Sequence, residues 1–361
     1  MAGKVHDPNM LEIFKEKERT DWYEVNTENF DIYGFVRDSE DILSRRVPIS
    51  VAEKVSPGLL GQSGHGAGGR VLFSTDSPFV SIKAEFRDGY IPTVCNHLLA
   101  YGFDLYEFDG KQDKFIAAYR QTTDFDGKTA EYGGRTRKDG EMGFYTINFP
   151  HFAEVKKMYI GIKKGYNLGK GKNYVNEKPV IFYGSSITHG AAAGRPGNTY
   201  ENFISQKYNI DYINFGFAGN AKGEPVFAEY IASLPMSVFV CDYDHNTPSL
   251  EHLENTHFPF YEIIRKKHPN IPYIMVSRPD ANINCITRDK PDERREVIRR
   301  SYEKAKSMGD ENVYFIDGQT LFDGEFYDSC TSDGCHPNDI GFMRMADKIG
   351  TVVAKVMNLI K

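Results

Sequence analysis

Two kinds of apolar spacing divide the chain. From residue 20 to 163 the apolar residues come in short runs broken by Gly, Asp, Asn and Pro, with few stretches long enough for a helix. Val71-Leu72-Phe73 is followed by Ser-Thr-Asp-Ser-Pro and then by Phe79-Val80-Ser81-Ile82-Lys83-Ala84-Glu85-Phe86. That is a turn and then alternation with a period of two, which places successive side chains on opposite faces of a half-buried strand. Residues 144–149 and 158–162 behave likewise, and the spacing predicts antiparallel strands in an all-β sandwich of jelly-roll type.

Beyond residue 179 short apolar runs alternate with amphipathic stretches. The runs are at 180–183, 212–215, 238–240, 273–276 and 313–316; helices are expected over 200–208, 251–267, 292–308 and from 339 onward, where Met343, Ala346, Ile349, Val353 and Val356 recur at helical spacing. Such alternation predicts a parallel sheet of five strands covered by helices on both faces, an α/β domain. Between 163 and 179 the chain turns to Gly, Asn and Lys, which buries little and reads as a surface linker. The expected organisation is a β-sandwich over 1–165, a linker over 166–178 and an α/β domain over 179–361.

A length of 361 residues suits two cores better than one. The formal charge of −6 lacks the basic excess that nucleic acid or anionic membrane demands, and no apolar run reaches the length of a membrane span. Cys95, Cys241, Cys285, Cys330 and Cys335 are odd in number and contain no C-x-x-C, so neither a disulfide framework nor a zinc site is indicated. With no apolar leader before the charged stretch at 12–21, the expected location is the cytoplasm.

In open α/β sheets, sites collect at the carboxyl ends of the strands, so the loops there hold the candidate chemistry. The first run ends in Gly184-Ser185-Ser186-Ile187-Thr188-His189-Gly190, a strand-to-helix turn where a serine hydroxyl faces the crevice and unpaired N–H groups can stabilise an oxyanion. Either serine could equally cap the helix. Asp333-Gly334-Cys335-His336-Pro337 follows the last run; on a tight turn the carboxylate can accept the Nδ1 proton and leave Nε2 to take one from a serine. An isolated D-x-x-H is also an ordinary solvated turn. After the second run come Gly216 and Gly219, and after the third Asn246, each a candidate donor to the same oxygen and each, alone, a plain turn residue.

Taken in order, these four blocks resemble the SGNH, or GDSL-like, hydrolase superfamily over residues 179–361. Gly102-Phe103-Asp104-Leu105-Tyr106 is similar to the G-x-D-L-Y signature of a β-domain found ahead of some members. The resemblance implies a three-layer, flavodoxin-like domain and a serine esterase without metal or organic cofactor. In it Ser186 is the nucleophile, His336 the base, Asp333 the orienting carboxylate, and Ser186, Gly219 and Asn246 the oxyanion donors, with Gly216 the fallback for Gly219. Two blocks depart from the family pattern: Gly-Ser-Ser replaces Gly-Asp-Ser, and D-Y-D-H-N stands where G-x-N-D is common.

The expected substrates are short-chain esters, acetyl above all, on oligosaccharides, with Tyr200, Phe217, Tyr243 and Phe258 as candidate sugar platforms and His189 and Arg195 as candidate substrate contacts. Acyl transfer by the same residues and a catalytically silent carbohydrate-binding protein are the alternatives, and self-association into a homo-oligomer is left open. A metallohydrolase built on Asp242, Asp244, His245, His252 and His257 is disfavoured, because His252 and His257 fall five apart, off one helix face.

Overall fold

The computed structural model describes residues 19–36, 43, 45–121, 125–134, 139–279 and 290–361. The first eighteen residues, with most of the charged stretch at 12–21, lie outside these, as does Cys285. The N-terminal half is built from β1 (Thr20–Glu24), β2 (Asp31–Tyr33), β3 (Arg70–Thr75), β4 (Val80–Gly89), β5 (Phe103–Phe108), β6 (Asp113–Tyr119), β7 (Thr129–Gly133), β8 (Gly143–Asn148), β9 (Ala153–Lys163) and β10 (Leu168–Lys170). They form two antiparallel sheets, β1-β9-β4-β7 and β10-β3-β8-β5-β6, with β2 added alongside β3. In β4 the predicted alternation is realised: Val80, Ile82, Ala84 and Phe86 are buried and the residues between them are not. Phe86 of β4 meets Phe103 of β5, and Phe103 meets Tyr132 of β7, so the sheets share one aromatic core. Three short helices, α1 (Ile49–Val55), α2 (Pro57–Gln62) and α3 (His97–Tyr101), lie in the connections.

The C-terminal half alternates strand and helix: β11 (Val180–Gly184), α4 (Ser186–His189), α5 (Tyr200–Tyr208), β12 (Tyr212–Gly216), α6 (Pro225–Ser233), β13 (Val238–Asp242), α7 (Leu250–Lys267), β14 (Tyr273–Val276), α8 (Pro291–Ser307), β15 (Val313–Ile316) and α9 (Asp339–Val356). The sheet is parallel in the order β12-β11-β13-β14-β15. Its faces separate by residue parity. Val180, Phe182, Val238 and Val240 pack with Tyr200, Ile204, Phe342 and Ile349 of α5 and α9, while Ile181, Tyr183, Phe239 and Cys241 pack with Phe227, Leu253, Phe260 and Val297 of α6, α7 and α8. The result is the three-layer domain expected, with all strand carboxyl ends at one edge. No helix among the described residues is long and apolar enough to cross a membrane.

The halves are joined by buried polar contacts. Bonds from the Val180 N–H to the Asp211 carbonyl and from the Phe217 N–H to the Gly184 carbonyl turn the odd-numbered residues of β12 toward β11. The carbonyls of 212, 214 and 216 therefore face outward, where a sixth strand would pair. Two fully buried arginines of the N-terminal half take that place. Arg46 donates to the Asn214 and Gly216 carbonyls at 3.0 and 2.8 Å, and Arg70 donates to the Tyr212 carbonyl at 3.0 Å and pairs with Asp211 at 2.6 Å.

The expected surface linker is corrected by the structure. Residues 168–170 form β10, hydrogen-bonded to β3, and Lys172 is buried with its ammonium 2.7 Å from Asp113. The glycines there serve close approach rather than slack: a Cβ on Gly171 would lie 2.5 Å from that of Leu72.

Candidate active site

β11 ends at Gly184, where any Cβ would fall 2.0 Å from Thr188 Oγ1 and 2.3 Å from the Asp242 carbonyl, so only glycine lets the chain turn here. Ser185 caps the following helix, accepting from the Ile187 N–H at 3.2 Å, which frees Ser186 for another role. Ser186 opens α4, a single turn closed by Gly190 in the left-handed region (φ 94°). The capping role weighed for both serines thus falls to Ser185 alone.

The Ser186 hydroxyl lies 2.9 Å from His336 Nε2, 150 residues away in sequence. His336 Nδ1 is 2.8 Å from Asp333 Oδ2, and the other carboxylate oxygen accepts from the His336 N–H at 2.7 Å and the Cys335 N–H at 3.0 Å. Gly334, at φ 85°, makes the reversal, and a bridge between Thr331 and Pro337 closes the turn. Partial burial works against the Asp333 carboxylate, but the His336 N–H, the imidazole and the Cys335 N–H outweigh it and hold its pKa below the ordinary carboxylate value. A carboxylate fixed at Nδ1 keeps the proton there, so Nε2 is a lone-pair acceptor facing the serine.

The two candidate oxyanion loops are tied to each other. The Gly219 N–H donates to Asn246 Oδ1 at 3.2 Å, and Asn246 Nδ2 donates to the Phe217 carbonyl at 2.8 Å, which uses one of its two hydrogens. Gly219 has open space around it but φ of 72°, so the glycine meets a backbone requirement. The fallback, Gly216, has no such place: its N–H is spent on Asn214 Oδ1 at 2.8 Å, and a Cβ there would strike the His189 N–H group at 2.1 Å. Its glycine lets α4 pack onto β12.

Other expectations are corrected. His189 is fully buried, stacked on Phe152 at 4.4 Å with Nε2 on the His151 carbonyl at 2.7 Å, and has no face toward a substrate. The four candidate platforms are core: Tyr200 lies edge-on to Phe182, Phe217 lies under the Arg46 guanidinium at 4.6 Å, Tyr243 bonds Thr256 at 2.9 Å, and Phe258 lies beneath Lys304. Arg195 remains partly exposed, its guanidinium 4.0 Å over the Phe115 ring. His252 and His257 face apart, the first on the Lys222 carbonyl and the second buried against Tyr243; among the described residues no group of three His, Cys, Asp or Glu could hold a metal ion.

Some anchoring residues carry no sequence signal. Arg294 of α8 is buried and donates to the Asp244 and Thr247 carbonyls at 2.7 and 3.0 Å, fixing the loop that presents Asn246. Asp339, three residues after His336, accepts from the Gly194 N–H at 2.6 Å and Asn198 Nδ2 at 2.7 Å. In sequence the first is one charge among many on a helix, and the second an ordinary first-turn acid.

Residues 177–354 match the model of the GDSL-like lipase/acylhydrolase family, and residues 20–168 match the G-x-D-L-Y domain described as the N-terminus of SGNH-hydrolase-type esterases. The chain belongs to the GDSL-like family. A protein from Bacteroides ovatus described as a GDSL-like lipase shares 26% identity over 94% of this chain and 98% of its own, with a TM-score of 0.83. The salicylyl-acyltransferase SsfX3 of a tetracycline biosynthetic pathway follows the same two-domain path at 22% identity, over 94% of this chain and 98% of its own, with a TM-score of 0.75. An acetyl xylan esterase from the rumen bacterium Butyrivibrio proteoclasticus does so at 14% identity over 95% and 100%, with a TM-score of 0.58. Comparison with curated proteins yields no match. In this GDSL-like chain the G-x-D-L-Y motif spans the start of β5, with Asp104 and Tyr106 turned toward the C-terminal half.

Proposed function

We propose that this protein is a serine esterase for short-chain esters, acetyl first among them, borne on carbohydrate. The observation that carries the reading is the line from Ser186 through His336 to Asp333, with both spacings within hydrogen-bond reach. His336 takes the Ser186 proton as the hydroxyl oxygen attacks the ester carbonyl. The charge that collects on the former carbonyl oxygen is met by the Ser186 N–H and the unspent Asn246 amide hydrogen, and it competes with Asn246 Oδ1 for the Gly219 N–H. The alcohol departs with the proton from His336, leaving an acyl group on Ser186, and water activated by the same imidazole releases the acid. The carbohydrate class is supported by the fold shared with the acetyl xylan esterase, whose name states that substrate.

The test is release of para-nitrophenol from its acetate, butyrate and octanoate esters by wild type and Ser186→Ala, with a chelator present, followed by acetate release from acetylated xylo-oligosaccharides. Activity that falls with chain length, survives chelation and vanishes in the variant supports the reading. A wild type inert on every ester overturns it. Adding a large excess of alcohol measures acyl transfer by the same serine.

A further inference from the structure

The loop from Gly190 to Asn198 leaves the nucleophile helix and is gripped from both halves. At its start the Ala191 N–H donates to the Ser186 carbonyl at 2.9 Å. Asn96 Nδ2 of the N-terminal half bonds the Ala193 and Gly194 carbonyls at 3.2 and 3.1 Å. Near its end the Gly197 N–H donates to Asp104 Oδ2 at 2.7 Å, and Arg195 lies 3.6 Å from the same oxygen and 3.2 Å from the Tyr106 hydroxyl. The next residue, Asn198, holds Asp339, the first residue of the helix that follows the His336 turn.

We infer that Asp104 is a positioning residue for Ser186 and His336, acting through residues 194–198 and Asp339; this rests on the esterase reading above. Two adjacent residues are held from opposite sides, the Gly197 N–H by a carboxylate of the sandwich and the Asn198 side-chain amide by a carboxylate of the catalytic half. The loop cannot recede, because a Cβ on Gly197 would already lie 2.3 Å from the Tyr106 hydroxyl. Asp104 itself is fixed: it is fully buried, and Asn148, its registered partner on β8, donates to Oδ1 at 2.8 Å. Burying a carboxylate is costly, and simple adhesion between halves is already provided by Arg46 and Arg70, which do not touch this loop. Asp104 instead aims its second oxygen at a backbone N–H in the segment joining nucleophile to base. Shifts well under the width of an atom at such a segment change the serine–imidazole spacing on which proton transfer depends.

The test uses the full chain and two readouts: hydrolysis of para-nitrophenyl acetate, and the rate of labelling by a fluorophosphonate, which needs an activated serine but no matched substrate. Asp104→Ala and Asp339→Ala are each expected to lower kcat and the labelling rate about tenfold to a hundredfold, with KM within about twofold. Their double variant should be no slower than the slower single one, since both act on one segment through adjacent residues, whereas independent effects would multiply. Exchanging the pair, Asp104→Asn with Asn148→Asp, keeps an oxygen toward Gly197 and should restore most of the loss. Tyr174→Phe, which removes a hydrogen bond from Arg70, one of the two arginines that join the halves away from this loop, should lower the melting temperature and leave kcat unchanged. If Asp104→Ala does not fold, Asn198→Ala severs the same path from the loop side with the same expected loss. An Asp104→Ala protein that hydrolyses and labels like wild type, or effects that multiply, overturns the inference alone. A wild type that neither hydrolyses nor labels overturns the esterase reading with it.

Discussion

Asp333 and Asp104 are both carboxylates that hold a partner in place, in opposite surroundings. Asp333 is about one-third exposed, and its three donors come from two residues just after it, Cys335 and His336. Asp104 is fully buried, and its donors come from residues 44 and 93 positions away. Their ionisation differs accordingly. Local N–H groups pull Asp333 down, whereas burial pushes the Asp104 carboxyl up to about 6 despite Asn148, Gly197 and Arg195. A turn that satisfies its own charge can form wherever the chain places it, while a buried carboxylate exists only once both halves have met. The proposed chemistry rests on the first kind of construction and the inferred alignment on the second.

The largest expected effect tests whether the turn is as self-contained as it looks. Ser186→Ala or His336→Ala should lower kcat by about 10⁴ to 10⁶, and Asp333→Ala by one to two orders less, with melting temperatures nearly unmoved. A large drop in melting temperature for His336→Ala would mean the turn leans on the rest of the molecule. Arg46→Met should do the reverse, costing about 3–5 kcal/mol in urea unfolding because buried carbonyls of β12 lose their donor. Unchanged stability would show that water takes its place. Asn246→Ala should cost about 3 kcal/mol of transition-state stabilisation, a kcat loss near a hundredfold, read from initial rates.

The smallest effect sharpens the comparison by pH. His65, His151 and His189 line the seam, and burial lowers all three below the ordinary imidazole value of 6.5, to about 3 for His65 and about 4 for His151. The folded state then binds fewer protons than the unfolded one, so stability is full above 6.5 and falls as pH drops toward the folded values. Each ring should cost about 1.4 kcal/mol between about pH 7.5 and pH 5.5, measured by urea midpoints. Asp104 and Glu201 act in the opposite sense, their raised carboxyls favouring the fold at low pH, the first losing that contribution as pH rises through about 6. The rings' share is therefore the difference in slope between wild type and His151→Gln, and equal slopes would show that the seam admits protons.

What could be read in the sequence follows the same division. Strands packed between helical layers appear as apolar runs, so β14 and β15 begin and end where the runs do, whereas the spacing of Asp333 and His336, an ordinary turn by itself, points to chemistry only beside a serine that follows the first strand. The segment reads as a linker because Gly169 and Gly171 look like slack until β3 is seen pressed against them. Tyr200 and Phe217 read as platforms because position after a strand does not say which way a ring turns. Arg46 gives no signal at all: its acceptors on β12 are carbonyls, 168 and 170 residues distant, and every residue carries the same group.

The outward row of carbonyls on β12 has a consequence for how this chain can be handled and inherited. Without residues 45–70 the catalytic half would present an open strand edge, a template for a second copy and hence for aggregation. Expressed alone it should precipitate or pair with itself. A replacement sandwich grafted in front of it would have to bring two guanidinium groups at the right separation. During synthesis those arginines leave the ribosome first, so the cover is already waiting when the edge it protects emerges.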